Sequence, residues 1–350
     1  MLRVMVQALK ITVVLVLAAV IVVSAQRALD AQLRGTAAAA GQPVIFDVRP
    51  QESIDSIAER LHEAGLIRSP TYFKLRVRLT NADTRIRAGR FTLYTGMSVN
   101  QIIQTLTTAP GVQVVRVRFL EGWRAEQYAD ELVRVGILSD PNRFLDALRA
   151  SRWQTRFPFL ADVPPNGTVE GYLFPDTYEF RIDATPDEIV QTLLENFDRR
   201  VPAEDRARAQ ALGRTFYQVL IIASIVEREA RVAEERPVIA SVFYNRLREN
   251  MPLQADPTVQ YALGSPEDWW PSLENIPDLG AVNSPYNTYR NAGLPPSPIC
   301  NPGRAAIEAA LSPAQTDYLY FVTRGDGSGA HVFARTYEEH VRNIREQHGR

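Results

Sequence analysis

One apolar segment constrains the fold of this chain more than any other part of the sequence. Residues 220–230 read LIIASIVEREA, and apart from one serine every residue before Glu227 is apolar. A helix on the surface of a protein spaces its apolar residues three and four apart and keeps a polar face. The segment is therefore predicted to be a helix of the core, although it runs directly into Glu227, Arg228 and Glu229. The question is whether Glu227 is a surface charge or a buried acid.

On a helix with about 100° per residue, the polar positions of this segment form one narrow strip. Ser224, Arg228, Arg231 and Glu235 lie on that strip, and Glu227 lies at its border with the apolar face. Partial burial raises the pKa of a carboxyl group, and the negative end of the helix dipole acts in the same direction. Both effects favour a general acid. The alternative is a surface pair of Glu227 with Arg231, which contributes about 0.2–0.5 kcal/mol.

Composition excludes several other kinds of chemistry. The 350 residues carry a net charge of -1, which gives no electrostatic reason to expect a nucleic-acid partner. The only lysines are Lys10 and Lys74, and no phosphate-binding G-x-x-x-x-G-K sequence occurs. Cys300 is the only cysteine, and the four histidines show no metal-ligand spacing, so neither a disulfide nor a metal site is expected. No cofactor is predicted, and Cys300 is expected to be a packed thiol.

The amino terminus predicts a membrane segment. Residues 11–25 carry no charge, and residues 5–9 extend this run towards the roughly 20 residues that span a bilayer. Arg3 and Lys10 precede the run. A cleaved signal peptide and an uncleaved anchor fit equally well, and both place the remaining chain beyond a membrane. We predict a cytoplasmic stub and transmembrane anchor over residues 1–26, followed by a small-residue linker over residues 27–42.

Residues 43–110 predict a small α+β domain. Val44, Phe46 and Val48 alternate as in a strand, and Ser69 and Ser98 are candidate helix caps with Pro70 in a first helical position. The expected order is strand, helix, helix, strand, helix. This arrangement resembles the LysM module, and the resemblance implies binding to peptidoglycan glycan. The alternative is a packing domain without a ligand.

Residues 111–350 predict a larger mixed α+β domain, which we expect to be the catalytic one. Its strand at residues 112–119 alternates strongly, and Thr185 caps a helix with Glu188 at its third position. A second helix is expected to begin near Pro237, and the chain ends as strand, turn, strand and helix. The overall fold class is therefore α+β, with an N-terminal transmembrane helix and two folded domains.

Two segments between these elements are rich in amide and aromatic side chains. Residues 251–263 and 282–303 also contain many prolines and show neither a helical nor a strand period. Amides can bind hydroxyl and acetamido groups, and tyrosine rings can cover a sugar ring, so carbohydrate binding is one interpretation. A rigid structural loop is the other. The residues expected to line a sugar cleft around Glu227 are Gln254, Asp256, Asn283, Tyr286, Asn287 and Tyr289.

Several long motifs resemble the YceG-like family of endolytic murein transglycosylases. They read EGYLFPDTY, ASIVEREA, ASVFYNRL, LQADPTVQYAL, SPYNTYRNAGLPPSPICNPG and YLYFVTRGDGSGAHVF, in this order. The resemblance covers residues 44–345 together with the N-terminal anchor. It implies a single-pass protein of the inner membrane whose catalytic domain is extracytoplasmic. Arg228 and Ala255 stand where the family commonly has lysine and a hydroxyl residue.

The resemblance also implies a mechanism. Glu227 would be the family's catalytic glutamate, cleaving between N-acetylmuramic acid and N-acetylglucosamine and closing a 1,6-anhydro ring. The implied partners are peptidoglycan glycan strands, the membrane and, as a further expectation, peptidoglycan synthases. A non-catalytic scaffold that binds the cell wall and a hydrolase using Glu227 and Asp256 remain alternatives. Glu234 fits a second carboxyl group poorly, since seven residues of continuous helix separate it from Glu227 by about 10.5 Å.

Overall fold

A computed structural model of the chain describes Ser24, residues 41–108 and residues 114–349. The chain forms two compact units, Met1–Val112 and Gln113–Arg350. Both mix helices with small antiparallel sheets, so the predicted α+β class is confirmed at this level.

The predicted membrane anchor, residues 1–26, lies outside the described residues except for Ser24. Within the part of the chain that the structure describes, no single helix is long and apolar enough to cross a membrane. One pair of helical segments, Ala203–Leu212 and Phe216–Glu229, meets the length and composition criteria together but is bent by 92°.

The first unit has the predicted order of elements. Strand β1 (Pro43–Val48) is followed by helices α1 (Ile54–Glu63) and α2 (Pro70–Leu79), strand β2 (Gly89–Tyr94) and helix α3 (Val99–Thr107). The two strands pair in antiparallel register. Their inward side chains pack against all three helices in one core.

Local capping residues explain where the helices of this unit begin. The hydroxyl groups of Ser53, Ser69 and Ser98 each accept a hydrogen bond from a backbone N–H in the first turn of the helix that follows. Such caps satisfy N–H groups that have no partner within the helix. The predicted caps at Ser69 and Ser98 are therefore confirmed.

The first half of the second unit surrounds a two-stranded antiparallel ladder. Strands β3 and β4 pair from Val114 with Arg181 to Arg118 with Thr177. The predicted cap at Thr185 is present as a full capping box with Glu188. The elements of this half are β3 (Val114–Arg118), α4 (Ala125–Arg134), α5 (Asn142–Ala147), β4 (Thr177–Arg181), α6 (Pro186–Arg200) and α7 (Ala203–Ala207).

The second half is built around the apolar helix. Helix α8 packs against α9, α10 and α11, and β5 and β6 form a final antiparallel pair beside α12. Residues 256–263 form a short helix, so the expectation of a loop without helical period there was wrong. Pro257 stands at the start of this helix, where no backbone N–H is needed for a hydrogen bond. The elements are α8 (Phe216–Glu229), α9 (Arg236–Arg248), α10 (Asp256–Leu263), α11 (Arg304–Leu311), β5 (Tyr320–Thr323), β6 (His331–Ala334) and α12 (Tyr337–His348).

Helix α8 is a core helix, as predicted. Thr215 caps it, and every residue from Phe216 to Val226 except Gln218 is buried. Burying one large aliphatic side chain stabilises a fold by about 1.5–3 kcal/mol. The expected polar strip was wrong at Ser224, which is fully buried because its hydroxyl donates to the carbonyl of Ile221.

A close approach between α8 and the segment before β4 generates a prediction. Gly171 has φ +90°, and a Cβ atom there would lie 2.6 Å from Pro298 Cγ and 3.1 Å from Leu220 Cδ2. Gly136 has φ +79° but faces open space, which makes it a matched control. We expect Gly136→Ala to cost about 1–2 kcal/mol for backbone strain alone. We expect Gly171→Ala to cost a further 1–3 kcal/mol, roughly, because the methyl group overpacks the contact.

Urea denaturation of the two variants measures this difference as a change in the free energy of unfolding. Equal losses for both substitutions would show that the contact between residues 171 and 298 relaxes without cost.

Candidate active site

Glu227 lies where the ends of two helices meet. It occupies the last turn of α8, and its Oε2 accepts a hydrogen bond of 2.9 Å from the backbone N–H of Gly303, the residue that precedes α11. The side chain is neither fully buried nor exposed. The predicted border position of Glu227 is therefore correct, and a backbone donor holds its carboxyl group in one orientation.

The surface-pair alternative is not realised. Helix α8 ends at Glu229, and Ala230 is already extended, so Arg231 does not lie one helical turn beyond Glu227. No ion pair joins Glu227 to Arg231 among the residues that the structure describes. The estimated spacing to Glu234 assumed one continuous helix, but the helix ends at Glu229 and Glu234 lies in a separate short turn, Ala233–Glu235.

A second carboxyl group, which the sequence analysis missed, stands beside this contact. Glu121 follows β3 and packs against Gly303 so closely that a methyl group on Gly303 would overlap its carboxyl group. The next residue, Gly122, approaches Glu227 itself: a Cβ atom there would lie 3.6 Å from Glu227 Cγ. Glu121 and Glu227 therefore contact the same glycine. The sequence signal that could have identified Glu121 was a charged residue followed by glycine just after an alternating strand.

The surroundings of Glu227 act on its pKa in both directions. Burial raises the pKa most, and the negative charge of Glu121 raises it further, whereas the hydrogen bond from Gly303 and the charges of Arg236 and Arg228 lower it. The net effect is a pKa above the usual range of a glutamate. Near neutral pH, Glu227 thus carries its proton more often than an exposed glutamate does, as a general acid requires.

Arg228 is held against an aromatic ring beside Glu227. Its guanidinium carbon lies 3.8 Å from the centre of the Trp270 ring, a favourable cation–π distance. Its Nε is buried and has no hydrogen-bond partner within the described residues. Burial lowers the pKa of Arg228, but the side chain remains a cation at any physiological pH. The carboxyl group of Glu227 is therefore flanked by one fixed positive charge on its own helix.

The buried side chain of Asn301 ties the loops around Glu227 together. Its amide oxygen accepts hydrogen bonds from the N–H groups of Gly171 and Leu173. Its amide nitrogen donates to the carbonyl of Trp123, and its own backbone carbonyl accepts from Gly122. One side chain thus fixes the segment carrying Glu121 and the loop leading to Gly303 against the aromatic segment before β4.

Three of the six predicted cleft residues lie in one loop. Asn287 is fully buried, and its amide donates to the carbonyls of Leu279 and Val282. The hydroxyl of Tyr286 is hydrogen-bonded to Ser297 at 2.6 Å. These contacts hold the loop in shape, which matches the structural interpretation of its amide-rich sequence. Asn283 is exposed.

The other three predicted cleft residues are grouped with Glu229. Gln254, Asp256 and Tyr289 line a cavity of about 390 Å³ together with Glu229. The hydroxyl of Tyr289 donates to Asp256 Oδ1 at 2.6 Å. Side chains two residues apart on a helix point in directions about 200° apart around the helix axis. Glu227 and Glu229 therefore face different surroundings. Asp256 acts electrostatically on Glu229, and Glu121 acts on Glu227.

Cys300 is a packed thiol, as predicted. It is fully buried, and its Sγ donates to the carbonyl of Ser224 at 3.3 Å. Burial raises its pKa well above the usual range of a thiol, so it is a poor nucleophile. Across residues 41–108 and 114–349, no group of three or more histidine, cysteine, aspartate or glutamate side chains is arranged to hold a metal ion.

Comparison with known proteins identifies the family. The model of the YceG-like family matches residues 46–346. The chain belongs to this family. It is 34% identical to the endolytic murein transglycosylase of Bacillus subtilis (strain 168) over 308 residues, which cover 85% of this chain and 82% of that protein. It is 29% identical to the endolytic murein transglycosylase of Streptococcus pneumoniae serotype 2 (strain D39) over 84% of this chain and 56% of that protein.

A solved structure has the same fold. The crystal structure of a YceG-like protein from Listeria monocytogenes superimposes with a TM-score of 0.58 at 32% sequence identity. The match covers 86% of this chain and 98% of that one.

The pairing of Glu121 with Glu227 generates a prediction about pH. If catalysis requires the protonated form of Glu227, activity falls as pH rises through its pKa. Glu121→Gln removes a negative charge that raises this pKa. We therefore expect the alkaline limb of the pH–activity profile to move to lower pH, which initial rates on purified peptidoglycan would measure.

Glu195→Gln is the matched control, because it removes an exposed carboxylate of α6 elsewhere on the same unit. An alkaline limb that stays in place for Glu121→Gln, or that moves equally for both variants, would contradict the assigned pairing.

Proposed function

We propose that this chain is an endolytic murein transglycosylase that cleaves glycan strands of peptidoglycan, with Glu227 as its catalytic group. The observation that carries the proposal is the carboxyl group of Glu227, half-buried and oriented by the N–H of Gly303. Membership of the YceG-like family and the names of its relatives supply the substrate class. The cleaved bond would join N-acetylmuramic acid to N-acetylglucosamine.

The proposed reaction uses Glu227 twice. Its protonated carboxyl group first donates a proton to the glycosidic oxygen, and the bond from that oxygen to the muramyl C1 breaks, leaving an oxocarbenium ion. The carboxylate then accepts the proton of the muramyl C6 hydroxyl, whose oxygen attacks C1 and closes a 1,6-anhydro ring. The glutamate ends protonated again, and no water is consumed. The acetamido group of the substrate can stabilise the oxocarbenium ion during this sequence.

The surroundings of Glu227 suit both steps. Burial and the charge of Glu121 favour the protonated form that begins the reaction. The N–H of Gly303 and the nearby charges of Arg228 and Arg236 favour the carboxylate that forms after proton donation. The environment of Glu227 therefore contains groups that stabilise its protonated form and groups that stabilise its carboxylate, as a residue acting first as acid and then as base requires.

The hydrolase alternative has two candidates for its second carboxyl group. Asp256 is hydrogen-bonded to Tyr289 and acts on Glu229, whereas Glu121 is the carboxyl group that acts on Glu227. A hydrolytic reaction would use Asp256 or Glu121 to activate water. The products separate the possibilities: 1,6-anhydro ends indicate the transglycosylase, reducing ends the hydrolase, and no new ends a scaffold that only binds the cell wall.

Substitution of the proposed acid tests the assignment. Glutamine has almost the shape of glutamate but cannot donate and then accept a proton, so we expect Glu227→Gln to lower the rate by about 10²–10⁴-fold or more. The fold should remain intact, as judged by circular dichroism and thermal unfolding. Mass spectrometry of the products released from purified peptidoglycan measures both the rate and the type of new end.

Glu249→Gln is the control, because Glu249 is an exposed carboxylate just beyond α9 on the same unit. Release of anhydro-muropeptides by Glu227→Gln at the rate of the Glu249→Gln control would remove Glu227 from the mechanism.

The N-terminal segment is proposed to remain attached as a membrane anchor, with both folded units outside the cytoplasm. Its support is the charge-free run of residues 11–25 behind Arg3 and Lys10. The intact mass of the protein extracted from membranes is expected to match the full 350 residues. A mass lacking about the first 25 residues would indicate a cleaved signal peptide instead.

Peptidoglycan synthases are proposed as partners at the site of strand synthesis. The first unit is proposed to be a LysM-like module that binds glycan. This assignment is supported by the order of the elements, β1, α1, α2 and β2, and by the antiparallel pairing of the two strands. Deletion of residues 43–110 from the Glu227→Gln protein should weaken its co-sedimentation with purified peptidoglycan. Unchanged co-sedimentation would leave this unit as a packing domain only.

A further inference from the structure

A polar cavity lies beside the end of α8 that carries Glu229. This Glu229 cavity has a volume of about 390 Å³, within the range of small-molecule sites. The polar residues that line it are Glu229, Arg246, Gln254, Asp256, Tyr289, Thr323, His331 and His340. Leu253 and Phe321 add apolar surface. Elements α8, α9, α10, α12, β5 and β6 therefore converge on one cavity, which is open to solvent where Gln254 and Asp256 are exposed.

The cation of this cavity is already engaged. The Nε of Arg246 donates to the carbonyl of Leu319 at 2.6 Å, and Nη1 donates to the carbonyl of Leu253 at 2.8 Å. Asp256 lies on the wall of the same cavity, and its Oδ1 accepts a hydrogen bond from Tyr289. Arg246 thus holds the surrounding loops in place through its Nε and Nη1 atoms.

His331 is also fixed by a partner. Its Nδ1 lies 2.8 Å from Glu235 Oε2, and its backbone N–H donates to the same carboxylate. With a carboxylate as its partner, Nδ1 is the donor, and Nε2 is the remaining polar atom of the ring. Within the described residues Nε2 has no hydrogen-bond partner. The edge of this ring also contacts Phe321, with ring centres 5.2 Å apart.

The carboxyl group of Glu229 has no hydrogen-bond partner among the residues that the structure describes. Burial raises its pKa to about 8, and Asp256 contributes in the same direction while Arg246 and Arg228 oppose it. At neutral pH most copies are therefore uncharged and can both donate and accept a hydrogen bond. Glu229 is neither fully buried nor exposed, so its carboxyl group can reach a ligand in the cavity.

Gln254 adds a strained backbone to the same cavity. Its φ is +48°, in the left-handed region that glycine adopts easily and glutamine rarely does. Its backbone N–H donates to the carbonyl of Thr288, which holds the conformation. Such strain persists where the surroundings enforce it and is concentrated at functional sites. The strained backbone of Gln254 places its amide side chain on the wall of the Glu229 cavity.

We propose that the Glu229 cavity is a subsite for one N-acetylated sugar ring of the glycan strand. This inference rests on the proposed function. A basic and an acidic side chain, Arg246 and Asp256, both line the cavity, so no single sign of charge prevails there, which favours an uncharged ligand. The free groups include donors and acceptors, as the hydroxyl and acetamido groups of such a sugar require. Phe321 provides an apolar surface for a ring face.

This subsite is remote from the bond that is cleaved. A helix with its side chains is about 10–12 Å across, and Glu227 and Glu229 face different sides of the end of α8. The sugar ring in the cavity is therefore not the ring that Glu227 protonates. Its binding energy would hold an internal part of the strand across the helix end and so position the reacting ring.

The test measures binding separately from cleavage. The full chain with Glu227→Gln binds without reacting, and its Kd for peptide-free murein glycan strands is measured by isothermal titration calorimetry. Adding Glu229→Leu removes the hydrogen-bonding group at similar size and should raise Kd about three- to tenfold. Adding Glu229→Gln keeps an uncharged hydrogen-bonding group and should change Kd by less than about threefold.

A second variant guards against misfolding. Asparagine tolerates a positive φ better than glutamine, so Gln254→Asn should preserve or raise Tm while its shorter side chain withdraws from the ligand. It should also raise Kd. Glu249→Gln in the same background is the control and should leave Kd unchanged.

The outcomes distinguish a failure of the proposed subsite from a failure of the proposed function. Unchanged Kd for folded Glu229→Leu and Gln254→Asn proteins would overturn the subsite and leave the proposed function intact. Absence of any binding by the Glu227→Gln parent would overturn both. A Kd that rises for Glu229→Leu and Gln254→Asn but not for Glu229→Gln would establish the cavity as a sugar subsite.

Discussion

Burial of α8 up to its last turn is the constraint on which the rest of the second unit depends. A helix with no polar face from Phe216 to Val226 must be surrounded, and α9, α10 and α11 pack against it. The first carboxyl groups along α8 therefore appear only in its last turn, after the buried residues. Glu227 and Glu229 occupy that position, and the geometry of a helix turns them in different directions. The apolar sequence thus determines where charged groups can meet a ligand.

Contacts distant in sequence then decide what each carboxyl group meets. Ser224 accepts a hydrogen bond from the N–H of Ile299, which attaches the following loop to the helix one turn before Glu227. The side chain of Asn301 joins that loop to the backbone at Trp123. Gly303 follows two residues later, where its N–H reaches Glu227 and its lack of a side chain admits Glu121. One short loop therefore assembles the candidate site.

The sequence predicted the elements with local signals and missed contacts that are not local. Capping residues such as Thr185 and the apolar run of α8 predicted helices correctly, because their causes lie within a few residues. The end of α8 at Glu229 was missed, since neither glycine nor proline stands between residues 229 and 236 to signal it. Glu121 could not be paired with Glu227 because their contact passes through Gly303, more than 70 residues from either.

The difference between the two glutamates supports the proposal that Glu227, and not Glu229, serves as acid and base. Glu227 has a backbone N–H that can stabilise its carboxylate once the proton has left. Glu229 has no such donor, and burial together with Asp256 makes its charged form costly. A group that gives up a proton and regains it within one reaction must tolerate both states. Glu229 tolerates mainly the neutral state, which suits hydrogen bonding to a sugar, whereas Glu227 tolerates both.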